Sequence, residues 1–254
     1  MDRIFIGKTA LVTGAGSGIG RASALAFAKA GAQVAVVDIG EGCEQTASEI
    51  SASGGRAIAI RADVSDAAAV EAMVARTVAE LGSLDCAYNN AGIFTETSSV
   101  ADCEDAVWDR IMSVNLRGVY LCMKHEVRAM RAAGKGGAVV NCSSATAFRT
   151  VPGSAAYSAS KAAIAALTRV AAIEYGADGI RINAIAPAGI ATPMLEKGLS
   201  VSEERRARVA ETRVLRRLAG PEEAAETVLW LCSGSASYIT AHTMYVDGGA
   251  ISAP

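Results

Sequence analysis

Short apolar runs alternate with longer amphipathic segments along the whole chain. In the longer segments apolar side chains recur at spacings of three and four residues, and this period predicts helices; one example is Val70, Met73, Val74, Val78 and Leu81. The short runs predict buried strands. These strands are expected at residues 8–13, 33–38, 56–61, 84–88, 138–142, 181–186 and 243–247.

Helices are expected between the strands, and Pro221 suits the first position of the last one, where its missing N–H needs no partner. Regular alternation of strands and helices predicts an α/β fold, with a parallel sheet and helices on both of its faces. No linker, low-complexity tract or repeat interrupts residues 1–254, so a single domain is expected. The predicted helices run from the glycine-rich turn to residue 30 and over residues 41–53, 66–81, 104–132, 155–175, 203–212 and 221–231.

The least regular segment is 188–218. It contains Pro193 and Gly198, followed by a dense run of charged residues. Such a run is typical of a solvated helical face. The alternative is a mobile flap over a substrate cleft, since long segments of this kind in compact domains often carry function.

Composition argues against several classes of protein. The 254 residues carry 24 Lys and Arg against 26 Asp and Glu, and a net charge of −2 provides no positive field for general nucleic-acid binding. A hydrophobic fraction of 51% argues against disorder. The longest uncharged stretch, between Glu226 and Asp247, holds too many polar groups for a membrane span. The N-terminal residues lack the pattern of a signal peptide.

Cysteine and histidine usage narrows the chemistry further. Six cysteines are spread along the chain without a CxxC pair, which predicts free thiols in a reducing compartment, the cytoplasm. The two histidines, His125 and His242, are too few for a typical zinc site, and we expect no metal. No G-x-S-x-G sequence occurs, which disfavours a Ser-His-Asp hydrolase.

A glycine-rich turn at residues 13–20 follows the first predicted strand. Between a strand and a helix, such a turn combines free backbone N–H groups with the positive end of the helix dipole, which suits a pyrophosphate. Gly14, Gly18 and Gly20 give the spacing G-x-x-x-G-x-G, which is neither the general G-x-G-x-x-G fingerprint nor a Walker A loop. A methyltransferase stays an alternative, because Gly14, Gly16 and Gly18 also fit a G-x-G-x-G turn.

Two acidic residues end neighbouring predicted strands. Asp38 ends the second strand, where a carboxylate can accept hydrogen bonds from an adenosine ribose; the alternative is a simple cap of the strand end. Asp63 and Val64 follow the third strand, in a place suited to an adenine. Together with the glycine turn, Asp38 predicts a dinucleotide site.

Tyr157 and Lys161 are four residues apart in a predicted helix, so they lie on one face. A lysine ammonium beside a phenol favours the phenolate, which suits the tyrosine to acid/base chemistry on a hydroxyl or ketone. The Y-x-x-x-K spacing alone is common by chance. It gains weight here because it follows a strand that leads into Ser143 and Ser144, and a nucleotide turn far upstream.

Together these residues resemble the short-chain dehydrogenase/reductase family, classical type, over essentially the whole chain. The resemblance implies a Rossmann-type doubly wound sheet and a nicotinamide cofactor. The matching motifs are T-G-x-x-x-G-I-G at residues 13–20, N-N-A-G at 89–92, the mid-helix asparagine Asn115, Y-x-x-x-K from Tyr157 to Lys161, and late elements at 187–192 and 246–249.

Two positions in these motifs need comment. The family's serine precedes its tyrosine by an interval that selects Ser144 and not Ser143. The family commonly has Pro-Gly after the sixth strand, whereas here Ala188 follows Pro187. A methyl group there is tolerable if φ is negative, and it could narrow the nicotinamide side of the cleft.

The resemblance implies a role for each candidate. Tyr157 is expected to exchange a proton with the substrate oxygen, which Ser144 hydrogen-bonds. Lys161 is expected to hold the nicotinamide ribose and favour the phenolate, and Asn115 to position a water between Lys161 and solvent. The implied cofactor-binding residues are Gly14, Ser17, Gly18, Ile19, Gly20, Asp38, Asp63, Val64, Asn90, Ala91, Gly92, Tyr157, Lys161, Pro187, Ile190 and Thr192.

Two positions predict that NAD is preferred over NADP. The carboxylate of Asp38 accepts hydrogen bonds from a ribose 2′-hydroxyl but repels a 2′-phosphate. The residue before Gly18, where NADP-preferring relatives often carry Lys or Arg, is the neutral Ser17. Arg21 lies nearby and is expected at the surface or in packing.

We therefore expect an NAD-dependent oxidoreductase that interconverts a secondary alcohol and a ketone. The alternatives are a catalytically silent NAD-binding regulatory protein, although Ser144, Tyr157 and Lys161 are all present, and a methyltransferase, although Val12 stands where that class has an acid. An enoyl reductase is disfavoured because such proteins tend to space Tyr and Lys more widely. The epimerase branch usually needs a larger C-terminal region.

The residues expected to line the substrate cleft are mainly small and apolar, which favours a hydrophobic or alicyclic substrate. Arg149 is the one charged candidate near the cleft. The resemblance implies a homotetramer, and small apolar residues in the helix after Asp102 and the helix that carries Tyr157 allow close helix packing. The expected lining residues are Phe94, Thr95, 145–148 and 190–195.

Overall fold

The computed structural model describes residues 3–95, 98–199 and 203–252. Within these ranges seven strands form one parallel sheet in the order β3-β2-β1-β4-β5-β6-β7. The strands are β1 (Thr9–Thr13), β2 (Gln33–Asp38), β3 (Ala57–Arg61), β4 (Cys86–Asn89), β5 (Gly137–Cys142), β6 (Ile180–Pro187) and β7 (Thr243–Val246).

Helices cover both faces of the sheet, so the predicted Rossmann-type doubly wound α/β fold is confirmed. Pro221 occupies the first position of its helix, as predicted. The α-helices are α1 (Gly18–Lys29), α2 (Gly42–Ala52), α3 (Ala67–Leu81), α4 (Asp105–Ile111), α5 (Gly118–Ala133), α6 (Ala155–Tyr175), α7 (Pro193–Leu199), α8 (Glu203–Glu211) and α9 (Pro221–Cys232).

The core consists of one hydrophobic cluster on each face of the sheet. Phe27 of α1, Ile50 of α2 and Val228 of α9 belong to one cluster. The other cluster contains residues of α3, α5 and α6, such as Met73 and Ile164. Because both faces are covered, the central strands are apolar on both sides, which explains their continuous apolar runs.

The order of the strands places a crevice beyond the carboxyl ends of the central strands. The chain runs outward from β1 to β2 and β3, and then returns to the other side of β1 to form β4. At such a switch point the connections leave in opposite directions, and a ligand crevice opens beyond the carboxyl ends of the strands. The glycine turn, Asp38 and the N-N-A-G element all follow strands at this edge.

The predicted helix at 104–132 consists of three segments. A π-helical stretch, Met112–Arg117, lies between α4 and α5. Periodicity did not predict it, since one wider turn changes the apolar spacing by a single residue. Wider turns of this kind are rare and frequently occur at functional sites.

The segment 188–218 is more regular than predicted. Two helices lie in it, α7 and α8, and only the second was expected. Pro193 was counted there as a mark of irregular structure, but it is the first residue of α7, the position at which proline is compatible with a helix.

A buried polar network lies beneath the N-N-A-G element. The Asn89 Nδ2 atom donates to Glu126 Oε2 at 2.9 Å and to Asn141 Oδ1 at 3.0 Å. The Asn141 Nδ2 atom in turn donates to Thr168 Oγ1 at 3.0 Å. Burial raises the pKa of Glu126 to about 7, and the hydrogen bond from Asn89 opposes that shift. Within the part of the chain described, Asn89 Oδ1 and Glu126 Oε1 have no partner.

Over the residues with assigned structure, no helix is both long and apolar enough to cross a bilayer. All six cysteines carry free thiols, and five of them are buried. The five buried cysteines therefore act in the core as small apolar side chains.

Candidate active site

The glycine turn connects the carboxyl end of β1 to α1. Ser17, Gly18 and Ile19 line a cleft there, and the Ser17 side chain makes no capping hydrogen bond to the first turn of α1. The first N–H groups of this helix are therefore available to an anion. Gly20 faces inward, where a Cβ would collide with the carbonyl oxygen of Gly14.

Asn90 holds the glycine turn in place from the end of β4. Its Nδ2 atom donates to the carbonyl oxygens of Thr13 and Gly14, at 3.1 and 3.2 Å. In return, Thr13 Oγ1 accepts from the backbone N–H groups of Asn90 and Ala91, both at 3.1 Å. The two motifs thus form one rigid wall of the cleft.

Asp38 lies at the end of β2 and lines the same cleft. Its Oδ2 atom accepts from the N–H of Gly16 at 2.9 Å, and its Oδ1 atom accepts from that of Gly40 at 3.0 Å. Each carboxylate oxygen retains a further lone pair for a ligand hydroxyl. Arg21, by contrast, forms an ion pair with Glu49, as its predicted surface role requires.

Asp63 and Val64 also line the cleft, beyond the end of β3. The Asp63 Oδ1 atom accepts from the backbone N–H and the hydroxyl of Ser65, at 2.8 and 2.7 Å. The Ser65 hydrogen bonds lower the pKa of Asp63, and Arg110, 4.0 Å away, adds to the effect. Asp63 therefore fixes the local backbone and keeps a negative charge at this end of the cleft.

The two serines after β5 have different surroundings. Ser143 is buried, and its hydroxyl donates to the carbonyl oxygen of Lys161 at 2.8 Å. The Ser144 oxygen accepts from Thr146, from the backbone N–H at 3.2 Å and from the hydroxyl at 3.0 Å. The Ser144 hydroxyl hydrogen therefore remains available to a ligand in the cleft.

Tyr157 and Lys161 lie on one face of α6, where both line the cleft. The Lys161 side chain is only 3% exposed, and its Nζ atom donates to the carbonyl oxygen of Cys142 at 2.8 Å. That atom lies 5.6 Å from the centroid of the Tyr157 ring. Phe94 packs edge-on against the same ring, with centroids 5.1 Å apart. The phenol is thus held between an apolar contact and a cation.

Asn115 lies in the π-helical segment, fully buried behind the cleft. Its Oδ1 atom accepts from the N–H of Ile93 at 2.8 Å, and its Nδ2 atom donates to the carbonyl of Ile93 at 2.9 Å. A Cβ on Gly92 would lie 3.3 Å from Asn115 Oδ1 and 3.4 Å from Lys161 Nζ. Gly92 therefore leaves the space that brings Asn115 close to Lys161.

The loop after β6 closes the other side of the cleft with Pro187, Ile190 and Thr192. Ala188 has no positive φ, and its N–H donates to the carbonyl of Val246 at 3.1 Å. The left-handed residue is Gly189, with φ of +65°. The departure from Pro-Gly at Ala188 is therefore accommodated without backbone strain.

These elements enclose one cleft of about 870 Å³. All the predicted site residues line it except Gly20 and Asn115, which lie directly behind its wall. Of the other substrate-side candidates, Phe94, Ala145, Thr146 and residues 193–195 also line it. The candidates that do not line it are Thr95, Ala147, Ala191 and Phe148, and Phe148 packs on Tyr245 instead.

The prediction for Arg149 was wrong. Its side chain is exposed and donates to the carbonyl oxygen of Ala250, outside the cleft. Arg213 lines the cleft in its stead, although the sequence placed it in a solvated charged run. Across the described part of the chain, no three His, Cys, Asp or Glu side chains are grouped so as to hold a metal.

Comparison with known sequences supports the resemblance over the full length. A family model described as "Enoyl-(Acyl carrier protein) reductase" matches residues 14–250. A short chain dehydrogenase/reductase of Aspergillus oryzae is 45% identical, covering 96% of this chain and 94% of the relative. The cis-4-hydroxycyclohexanecarboxylate dehydrogenase of Sinomonas cyclohexanicum is 42% identical, covering 98% of both. The cyclohexanol dehydrogenase of an Acinetobacter strain is 39% identical, covering 98% and 96%.

Solved structures of related oxidoreductases have the same fold. The crystal structure of levodione reductase superposes with a TM-score of 0.93 at 38% identity, covering 98% of this chain and all of that one. The 3-ketoacyl-(acyl-carrier-protein) reductase of Brucella melitensis, crystallised with NADH, gives a TM-score of 0.90 at 36% identity, covering 97% and 99%. With the ordered motifs around one cleft, these matches show that the chain is an oxidoreductase of the classical short-chain dehydrogenase/reductase family.

Proposed function

We propose that this protein is an NAD-dependent dehydrogenase that interconverts a secondary alcohol and a ketone. The observation that carries the proposal is the meeting of Ser144, Tyr157 and Lys161 in the cleft that also contains the uncapped start of α1 and Asp38. A hydroxyl donor, a phenol and an ammonium beside a dinucleotide-sized cleft are the groups needed for proton exchange at a carbinol oxygen.

The cleft residues fit a nicotinamide dinucleotide. The first N–H groups of α1 suit the pyrophosphate, and the Asp38 oxygens suit the adenosine ribose hydroxyls. We assign Asp63 and Val64, which line the cleft, to the adenine, and Asn90, Ala91 and Gly92 to the wall between the two ends of the cofactor. When bound, the cofactor supplies or accepts the hydride.

This chain's own residues handle the proton and the orientation of the substrate. The Ser144 hydroxyl, its oxygen already accepting from Thr146, donates to the substrate oxygen and stabilises developing charge. Tyr157 takes the proton of the alcohol in oxidation and returns one in reduction. The Lys161 ammonium, buried and 5.6 Å from the Tyr157 ring centroid, favours the phenolate at that moment.

A proton route to solvent begins at Lys161. Its Nζ atom keeps two N–H groups besides the one given to Cys142, since an ammonium has three donors. Asn115 lies beside it across Gly92, in a segment with π-helical pairing. We assign Asn115 to position a water there, through which Lys161 exchanges protons with solvent.

The substrate class is proposed as alicyclic alcohols and ketones. The substrate side of the cleft is mainly apolar, with Phe94, Ala145 and Val151 among its residues. Two relatives are named for cyclohexanol and for a hydroxycyclohexanecarboxylate, both six-membered rings with a secondary alcohol. The helices α7 and α8 form the proposed flap, since Met194 and Val209 line the same cleft.

We further propose a cytoplasmic homotetramer of single-domain chains. Five buried free thiols suit a reducing compartment. Large apolar side chains are exposed on α4, α5 and α6, as expected for helix faces that pair across two-fold axes. These residues are Trp108, Tyr120, Val170 and Ile173.

The direct test is Tyr157→Phe, assayed with NAD and cyclohexanol by absorbance of NADH. We expect turnover to fall by at least about a hundredfold, because general acid/base catalysis is typically worth this much. The affinity for NADH, measured by fluorescence titration, should stay within a few-fold, since the ring and its contact with Phe94 remain. Tyr175→Phe, on the same helix outside the cleft, is the matched control.

Three results would contradict the proposal. Wild-type turnover in the Tyr157→Phe variant would remove Tyr157 from the acid/base role. Binding of S-adenosylmethionine in preference to NADH would favour a methyltransferase. NADH binding without turnover of any secondary alcohol in a broad panel would favour a regulatory protein.

A further inference from the structure

Arg213, just beyond the end of α8, contributes its guanidinium to the wall of the cleft. It lies against the loop after β6. A Cβ on Gly189 would lie 2.8 Å from Arg213 Nε and 3.1 Å from Nη2. Gly189 also has φ of +65°, a conformation that favours glycine. The missing side chain at position 189 therefore makes room for the guanidinium.

The hydrogen bonds of Arg213 leave one edge of its fork without an acceptor. The Nη1 atom donates to the carbonyl of Val209 at 3.1 Å and to Thr212 Oγ1 at 2.5 Å, which fixes the side chain. The Nε atom is buried and finds no partner among residues 3–95, 98–199 and 203–252. Because Nε is packed against Gly189, the donor that a ligand can reach is Nη2, which makes no hydrogen bond within the described residues. An anionic acceptor at Nη2 would form a charge-assisted hydrogen bond.

Neighbouring charges do not neutralise Arg213. Burial lowers its pKa, Asp247 raises it, and Arg149 lowers it. The Asp247 oxygens are already engaged by the N–H groups of Gly249 and Ile251, at 2.9 and 2.8 Å. Arg213 lines the substrate side of the cleft, which is mainly apolar, and Asp247 is opposed there by the nearby charge of Arg149, so a net positive charge remains at this side.

We propose that Arg213 binds a carboxylate on the substrate, so that the enzyme prefers an alicyclic hydroxy or oxo acid to the neutral ring compound. A carboxylate oxygen accepts a charge-assisted hydrogen bond from the free Nη2 group, and the guanidinium charge stabilises the anion, which a neutral ring compound lacks. The inference rests on the proposed function, because it assumes that Ser144 and Tyr157 hold the carbinol oxygen of the same molecule. Arg213 is then a specificity-determining residue that acts on a second substituent.

The test compares 4-hydroxycyclohexanecarboxylate, its neutral methyl ester and cyclohexanol as substrates with NAD. Four proteins are assayed: the wild type, Arg213→Met, Arg213→Lys, and the control Arg208→Met, which alters an exposed arginine of α8 outside the cleft. We expect the wild type to prefer the carboxylate. In Arg213→Met the kcat/KM for the carboxylate should fall roughly tenfold to a hundredfold, the usual size of a charge-assisted hydrogen bond, while cyclohexanol changes little.

The conservative variant provides a second readout. Arg213→Lys keeps the charge but loses the planar fork, so we expect an intermediate loss for the carboxylate. If circular dichroism shows that Arg213→Met does not fold, Arg213→Lys is used for the same comparison of substrates. The KM for NAD should be the same in all four proteins.

Several outcomes would overturn the inference. Equal losses on the acid and the neutral alcohols would mean that Arg213 only supports the loop. A raised KM for NAD in Arg213→Met would assign the guanidinium to the cofactor. If the wild type does not prefer the acid over its ester, the proposed contact between Arg213 and a substrate carboxylate is refuted.

A binding measurement separates this inference from the proposed function. If the wild type oxidises none of the alcohols, the proposed function fails and the inference is judged by calorimetry. Cyclohexanecarboxylate should then bind the NADH-loaded wild type more tightly than cyclohexanecarboxamide does, and Arg213→Met should abolish the difference. Equal binding of the two compounds to the wild type would refute a carboxylate site at Arg213.

Discussion

The hydroxyl of Ser143 donates a 2.8 Å hydrogen bond to the carbonyl oxygen of Lys161, one residue before Ser144 reaches the cleft. The strand end and α6 are thereby tied together beside the reacting groups. The two serines are adjacent in sequence and both are hydroxyl donors. Their side chains point in different directions, so Ser143 positions α6 whereas Ser144 can contact the substrate.

Substituting each serine should have opposite consequences. Ser144→Ala is expected to lower kcat by about a hundredfold, the usual effect of losing one donor to a developing oxyanion, with little change in Tm. Ser143→Ala should keep most of the turnover and lose about 1 kcal/mol of unfolding free energy with its buried hydrogen bond. Steady-state assays and urea unfolding measure the two effects. The reverse order would show that the register of β5 is off by one residue.

Asp38 should set the choice between NAD and NADP. A carboxylate facing a 2′-phosphate at a partly buried site costs roughly 1–3 kcal/mol, or about tenfold to a hundredfold in affinity. We expect a clear NAD preference, eroded in Asp38→Ala and further reduced when Ser17→Arg is added. The preference is measured as the ratio of kcat/KM for NAD to kcat/KM for NADP, with the same alcohol as substrate.

Asp38 also holds the N–H of Gly16, so Asp38→Ala should lower the affinity for both cofactors as well. The ratio of the two kcat/KM values therefore carries the test, and Asp105→Ala, an exposed change on α4, is the control. A wild type that uses both cofactors equally, or prefers NADP, would mean that Asp38 does not face the ribose.

Glu126 should make stability depend on pH. Its pKa is about 7 in the folded protein, against 4.5 for an ordinary glutamate, because the carboxylate is buried. Between these values the unfolded chain has released the proton while the folded chain keeps it. Stability therefore falls as pH rises from about 4.5 to 7 and then levels off.

The variant Glu126→Gln should remove this loss of stability at higher pH, because its side chain does not titrate. Relative to the wild type, its unfolding free energy should rise by about 2.5 kcal/mol between pH 5 and 8, since one pKa unit corresponds to about 1.4 kcal/mol and the window covers most of the shift. Glu226→Gln on the exposed surface of α9 is the control. Parallel curves for Glu126→Gln and the wild type would show that Glu126 titrates as it does in water.

The assembly can be tested on α6. Ile173 is 80% exposed and Val170 52%, which is unusual for two neighbouring aliphatic side chains. Light scattering of the wild type at micromolar concentration should give the mass of a tetramer. Ile173→Glu should reduce it to a dimer, because a buried charge breaks one of the two-fold interfaces, whereas Ile4→Glu should leave it intact. A monomeric wild type would refute the proposed tetramer.

The sequence predicted the sheet and most of the helices because buried strands and amphipathic helices have distinct periods. The bounds of β2 and α6 match the prediction, since each pattern ends at a clear polar or glycine boundary. The π-helical segment was missed because a single wider turn barely changes the periodicity. The helix α7 was missed because proline is compatible with a helix only at its start, and sequence alone did not show where that start lies.

The candidate site was predicted well wherever a motif fixed both residue type and spacing. Arg213 has no such motif. Its place in the cleft depends on the chain folding back over Gly189, a contact between segments that no local pattern encodes. The charged residues around it indicated a solvated face, and the error at Arg149 has the same origin, since the direction of a long side chain is a tertiary property.

The π-helical segment that carries Asn115 fixes the number of residues between α4 and α5, and not only their identity. Each residue turns a helix by about 100°, so deleting one residue from Met112–Arg117 would restore regular pairing but rotate α4 against α5 by that angle. Trp108 and the other side chains of α4 would then face new neighbours, and Asn115 would leave Ile93. The segment can therefore accept substitutions at its exposed positions far more readily than it can accept a change in length, so insertions and deletions in related chains should avoid it.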